Sequence, residues 1–129
     1  MIAQQMIIPL RMTGQVTGTA NAVARWETPY AGEVLAVGGY AESLGTGAGS
    51  STDFRLRDAS DGYKEMLSTD GAFEVDSASG LLEGQVVDDT NACWASGDII
   101  DIDCTAVTTG IAARDIVIYV TVVMFVDDL

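Results

Sequence analysis

Carboxylates are the groups this chain holds in number that could do chemistry, and they occur in pairs. Asp88 adjoins Asp89, Asp101 stands two from Asp103, and Asp127 adjoins Asp128. Two carboxyl groups held about 5–10 Å apart across a cleft can cleave a glycosidic bond. Asp101 and Asp103 share one face of a strand, so they are the candidates for such a pair. Alternating Asp on a strand is ordinarily a solvated face, and the pair is read as one. The chain has no His, which removes the commonest general base and every Ser-His-Asp or Cys-His arrangement. No enzymatic activity is expected.

Other chemistry-bearing patterns reduce to structure in the same way. DASDG at 58–62 and VDDTN at 87–91 offer oxygen atoms of the kind calcium takes. Neither follows the twelve-residue helical calcium loop, and Asp, Asn, Ser and Gly all suit turns, so turns are expected. Cys93 and Cys104 without His make no zinc set. A disulfide between them stays open at this point. The segment Gly45-Thr46-Gly47-Ala48-Gly49-Ser50-Ser51 spaces its glycines as nucleotide loops do. It has no Lys and leads into a strand rather than a helix, so a flexible inter-strand loop is expected. No cofactor is expected. Trp26 alternates with Ala22 and Ala24, which favours a core role. Trp94, in an expected loop, is the candidate for a ligand or partner contact.

The elements that must carry these residues are strands. Asp98 to Val107 alternates, with Ile100, Ile102, Cys104 and Ala106 in one row and Asp101, Asp103 and Thr105 in the other. That is the signature of a half-buried strand with a wet acidic face. Asp115 to Val126 is apolar in both rows and needs cover on two sides; a second copy of the chain could supply one of them. Helical periodicity is scarce. Fourteen glycines and clusters of turn residues separate short runs, as in an all-β sandwich or barrel. Further strands are expected at 5–12, 19–27, 32–41, 53–57, 63–67, 72–75 and 81–87. Pro9 demotes the first to an edge, and Gly38-Gly39 suggests a bulge or a close backbone approach.

With 129 residues the chain suits one domain. Residues 1–12 are read as an N-terminal arm or edge strand, and 13–129 as a single sandwich. The net charge of −13, from 19 acidic and 6 basic residues, argues against direct binding of nucleic acid or of an anionic membrane. No secretory signal is visible, and the apolar C-terminal run is too short for a membrane helix. Folding in a cytoplasm is expected.

One succession of segments carries a resemblance. Pro29-Tyr30-Ala31-Gly32-Glu33-Val34-Leu35-Ala36-Val37 gives a P-x-x-G-x-[VL]-x-x-V approach to a strand. A Gly- and Thr-rich loop follows, then Phe54-Arg55-Leu56-Arg57-Asp58. Later come Trp94-Ala95-Ser96-Gly97-Asp98-Ile99-Ile100-Asp101-Ile102 and Ala112-Ala113-Arg114-Asp115-Ile116-Val117-Ile118. Over roughly residues 23–126 this is similar to small jelly-roll virion proteins of tailed bacteriophages, both capsid decoration (cement) proteins and head- or tail-fibre modules.

The resemblance implies an antiparallel jelly-roll sandwich, here of eight or nine strands, with no catalytic residues to carry over. It implies a place on the capsid surface after synthesis in the host cytoplasm. The implied partner is the major capsid protein at capsomer junctions, with a homo-oligomer, a trimer above others, matching threefold sites. Tyr119, Thr121, Val123 and Phe125 are the residues expected to cover a neighbouring subunit. Met1, Ile2, Met6, Ile7 and Ile8 belong to the segment expected to grip the shell. The alternative is a receptor- or glycan-binding fibre module using Trp94, the 44–52 loop and the Asp-rich turns.

Overall fold

Alternation and glycine punctuation do produce an all-β chain. The computed structural model describes residues 2–126, and every regular element among them is a strand. Four long strands come first: β1 (Ile2–Gln15), β2 (Ala20–Glu27), β3 (Gly32–Ser43) and β4 (Ser51–Asp58). Short ones follow: β5 (Lys64–Glu65), β6 (Leu67–Thr69), β7 (Gly71–Glu74), β8 (Val86–Val87) and β9 (Cys93–Trp94). Two long strands end the series, β10 (Ile99–Ala106) and β11 (Arg114–Val126).

The pairing is nested and antiparallel. β1 pairs with β11, β2 with β10, β3 with β9, and β4 with β5 and β7. The first four strands alternate between two sheets, and β10 and β11 return one to each. One runs β1-β11-β3-β9, and the other runs β2-β10-β4-β5 with β7 also on β4. A long hairpin rolled up in this way is a jelly-roll, with the inner faces of the two sheets meeting as one core. The expected sandwich therefore forms, though its shorter strands are more broken than expected. Residues 63–67 and 81–87 hold only fragments of strand, and Cys93–Trp94 is a strand where a loop was expected.

The core is the meeting of two rows. Ile116, Ile118, Val120 and Val122 of β11 face Phe54, Leu56, Ile100, Ile102 and Cys104 of the other sheet, all buried. Each such side chain contributes about 1.5–3 kcal/mol by leaving water. Phe73 meets Phe54 edge to face, centroids 5.8 Å apart. A Cβ on Gly39 would lie 2.9 Å from the Val117 carbonyl and 3.0 Å from the Phe73 ring, which is the close approach expected there. The bulge in β3 lies instead at Leu35, where the register with Val122 and Thr121 shifts. Cys104 is buried, Cys93 is exposed, and both are free thiols.

The 45–51 loop is not the free segment its glycines suggest. Thr46 N–H donates to the Ile111 carbonyl at 2.8 Å, Gly110 N–H to the Thr46 carbonyl at 2.9 Å, and Ile111 N–H to Thr46 Oγ1 at 2.7 Å. These bonds stitch it to the β10–β11 connection.

Candidate interaction surface

The two sheets treat their outer faces in opposite ways. On the β2-β10-β4 sheet, the row expected to be wet is buried: Asp101 is 1% exposed and Asp103 is 0% exposed. The solvated-face reading is corrected by three arginines from the flanking strands. Register places Asp101 between Arg25 and Arg57, and Asp103 opposite Arg55. Arg25 grips Asp101 with two bonds, Nε at 3.1 Å and Nη2 at 3.2 Å. Arg55 Nε donates to Asp103 Oδ2 at 2.8 Å. Arg57 Nε sits 2.6 Å from the same oxygen, an ion pair without an aligned hydrogen bond, and its guanidinium lies over the Tyr63 ring.

The other oxygen of Asp103 holds the backbone. Ala22 takes a left-handed φ of 54° and donates its N–H to Asp103 Oδ1 at 2.7 Å, where the β2–β10 register shifts. Burial on its own would raise the Asp103 carboxyl. The Ala22 bond, the Arg55 hydrogen bond and the charges of Arg57 and Arg55 outweigh it and hold the group below the usual carboxylate range. Asp101 and Asp103 are thus structural anchors, not a pair facing a cleft. A D-x-D strand and an R-x-R strand, each with apolar residues between the charges, were the legible signal for this face.

A second buried carboxylate lacks such partners. Asp58 is 0% exposed. Its Oδ1 accepts from the Ser60 N–H at 3.1 Å, while Oδ2 is buried beside the Asp98 carboxyl. Burial, then the hydrogen bond and charge of Asp98, push Asp58 up to about 6. Asp98 in turn caps its own turn through the Ala95 N–H at 3.0 Å. The segments 58–62 and 87–91 are turns, with Asp88 taking the Thr90 N–H at 3.0 Å. No group of three or more metal-ligating side chains occurs among the described residues.

The β1-β11-β3 sheet leaves its outer face open. Register lays Ile7 beside Thr121 and Ala36, Pro9 beside Tyr119 and Gly38, and Arg11 beside Val117 and Tyr40. Gln5 meets Val123, and Ala3 meets Phe125. Ile7 is 62% exposed, Tyr119 39% and Tyr40 46%; Thr121, Val123 and Phe125 are half-buried. A shallow groove of about 470 Å³ runs between Arg11, Tyr40, Glu42, Val117 and Tyr119.

Of the residues singled out from the sequence, Ile7, Tyr119, Thr121, Val123 and Phe125 come together on this face. Met6 and Ile8 do not: they lie on the opposite side of β1 and pack against the core. Ile2 is exposed at the strand end, paired with Val126. Met1, Asp127 and Asp128 lie outside the described residues. Trp94 is corrected as a contact residue. It is 4% exposed, its indole N–H donates to the Tyr30 carbonyl at 2.8 Å, and its ring fills the space above Gly32. No ring face is left for a sugar to stack on.

No family model matches the chain, and no curated protein matches it. Among solved structures the fold is similar to a chain described as "Cyanophage Pam1 capsid asymmetric unit". The two share 16% identity at a TM-score of 0.54, over 94% of this chain and 86% of that chain. The likeness is one of fold along nearly the whole of both chains.

Proposed function

We propose that this protein is a structural component of a phage virion, a capsid decoration protein that binds the major capsid protein at capsomer junctions. The observation that carries the reading is the open outer face of the β1-β11-β3 sheet. Ile7, Tyr119 and Tyr40 stand exposed there with few charges among them, in a chain whose other sheet has closed its outer face with its own arginines. An exposed apolar patch rimmed by polar groups marks a protein contact. The fold likeness to a chain of a phage capsid unit supplies the setting.

The mechanism is passive. The chain buries shell surface across a junction, so the shell cannot open without breaking those contacts, and binding to the closed shell stabilises it by mass action. A trimer would match a local threefold site. The test is cosedimentation of the purified protein with shells assembled from the capsid protein encoded with it, followed by heating. Saturable binding at a fixed ratio to capsomers, with rupture at higher temperature, is expected. Absence of binding overturns the reading.

A further inference from the structure

Charge divides this chain more sharply than its total suggests. Residues 1–26 contain Arg11 and Arg25 and no Asp or Glu, so all 19 acidic residues and four of the six basic ones lie in 27–129. The fold turns this division into geometry. β1 is the terminal strand of one sheet and β2 is the terminal strand of the other. The acid-free segment therefore builds most of one lateral side of the sandwich, with Glu27 at the end of β2 and Asp115, which accepts the Gly14 N–H at 2.9 Å, at its margins. Between its two strands lies a notch of about 380 Å³, lined by Arg11, Met12, Gln15, Val16 and Val23 among others, all from this segment.

The opposite lateral side has the opposite character. β5 and β7 lie on the far side of β4 from β10, and β9 ends the other sheet. Residues 58–91, which supply most of that side, hold nine acidic residues and one lysine. Glu65, Glu74, Asp76 and Glu83 are exposed there.

The acid-free side is also a strand edge. β1 has fourteen residues, about 45 Å at about 3.3 Å each, and among the described residues its outer edge has no neighbour in the sheet. Long unpaired edges invite another chain, and the usual blunting devices are sparse here: Pro9, Arg11 and the bulge near Gln15. β2, with eight residues, adds about 26 Å, so with two sheets about 10 Å apart the side has an outline of roughly 500 Å², of the order of the roughly 800 Å² per partner of a stable interface.

We propose that copies of this chain associate head to tail, the acid-free β1–β2 side of one docking on the acidic β5–β7 side of the next. Two acid-free sides could also meet, but that contact would leave each acidic side without a carboxylate-poor surface to dock on. The head-to-tail contact gives every acidic side one. It is heterologous, so it closes into a ring when the rotation permits. The contact concerns the isolated protein and leaves the open sheet face free for the shell, so its failure and that of the decoration reading are separable.

Sedimentation velocity on the full chain without shell protein, at about 100 µM, well above the micromolar constants of weak interfaces, tests it. Two charge-altering variants are used, Gln15→Glu/Thr17→Glu at the notch of the acid-free side and Glu74→Lys/Asp76→Lys on the acidic side, all at exposed positions. Wild type is expected to sediment as an oligomer, and each variant at least tenfold more weakly associated. An equimolar mixture of the variants should recover assembly, because each then meets a complementary side, and that recovery also shows both are folded. A monomeric wild type, a variant that assembles as wild type does, or a mixture that stays monomeric would overturn the proposal.

Discussion

The outer faces of the two sheets differ in what completes them. On β2-β10-β4 the chain completes itself, with guanidinium groups laid over Asp101 and Asp103 until neither sees solvent. On β1-β11-β3 it stops short, leaving Ile7 62% exposed on a strand face over which the described residues place no further layer. Polarity misleads in both places. The acidic row is sealed and the apolar row is open, because burial follows what the neighbouring strands bring rather than the hydropathy of a row alone. A charged row with a matched charged row beside it can bury itself; an apolar row without a second layer cannot.

The sharpest way to break this contrast is to remove the charge that the closed face is built around. Asp103→Ala would leave Arg55 and Arg57 facing each other without a counter-charge and free the Ala22 N–H. Loss of one partner from such a pair costs about 3 kcal/mol, and urea unfolding should show it as a lower midpoint with an unchanged slope.

Asp58 offers the reverse experiment, a buried carboxyl with no guanidinium. Its folded value of about 6 lies above the ordinary 3.8. Folding is therefore not penalised below about pH 3.8, is penalised increasingly as pH rises towards 6, and carries the full penalty above that, roughly 2–3 kcal/mol at 1.36 per unit. Lys64 opposes the shift and Asp98 enforces it. Asp58→Asn should raise the melting temperature at pH 7.5 and flatten its fall between pH 4 and 6. An unchanged pH profile would mean the carboxyl is already neutralised by another group.

Smaller effects sharpen the comparison further. The Arg25 side chain is 55% exposed while its partner Asp101 is 2%. Arg25→Ala should cost about 1 kcal/mol, less than the Asp103 change, because water can reach the stranded carboxylate. On the open face, Ile7→Asn should change stability by less than about 0.5 kcal/mol, since no side chain covers Ile7, yet weaken shell binding tenfold or more. A large loss of stability in Ile7→Asn would place that face inside the folded domain and remove the argument for a partner on it.

Much of the architecture was readable in the residues. The alternation of Ile100, Ile102 and Cys104 and of Phe54 and Leu56 gives the inner rows as they are found, and the double-sided apolarity of 115–126 corresponds to one row in the core and a second, Tyr119, Val123 and Phe125, on the open face. The misreadings have local causes. Trp94 belongs to a two-residue strand, too short for any period to show, and its burial depends on the bare backbone of Gly32, about sixty residues away in sequence. Ala22 carries no sign of its left-handed turn, which the Asp103 carboxylate imposes from another strand. The charge division at residue 27 was fully legible, but it acquires meaning only when the topology puts β1 and β2 on the same side.

The nested pairing has a kinetic consequence. β4 and β7 close a loop of a dozen or so residues, whereas β1 and β11 must find each other from opposite ends of the chain, with Ile2 against Val126. Loop-closure entropy rises with separation, and long-range pairing slows folding. The roll is expected to zip from its centre outward, with β1 the last strand to dock. Until then, the inner row of Met6, Ile8, Leu10 and Met12 is unburied and the β11 edge is bare. A newly made chain therefore passes through a stage in which another copy's β1 could take the vacant place, and slow release or a chaperone at that stage would favour monomers that close on themselves.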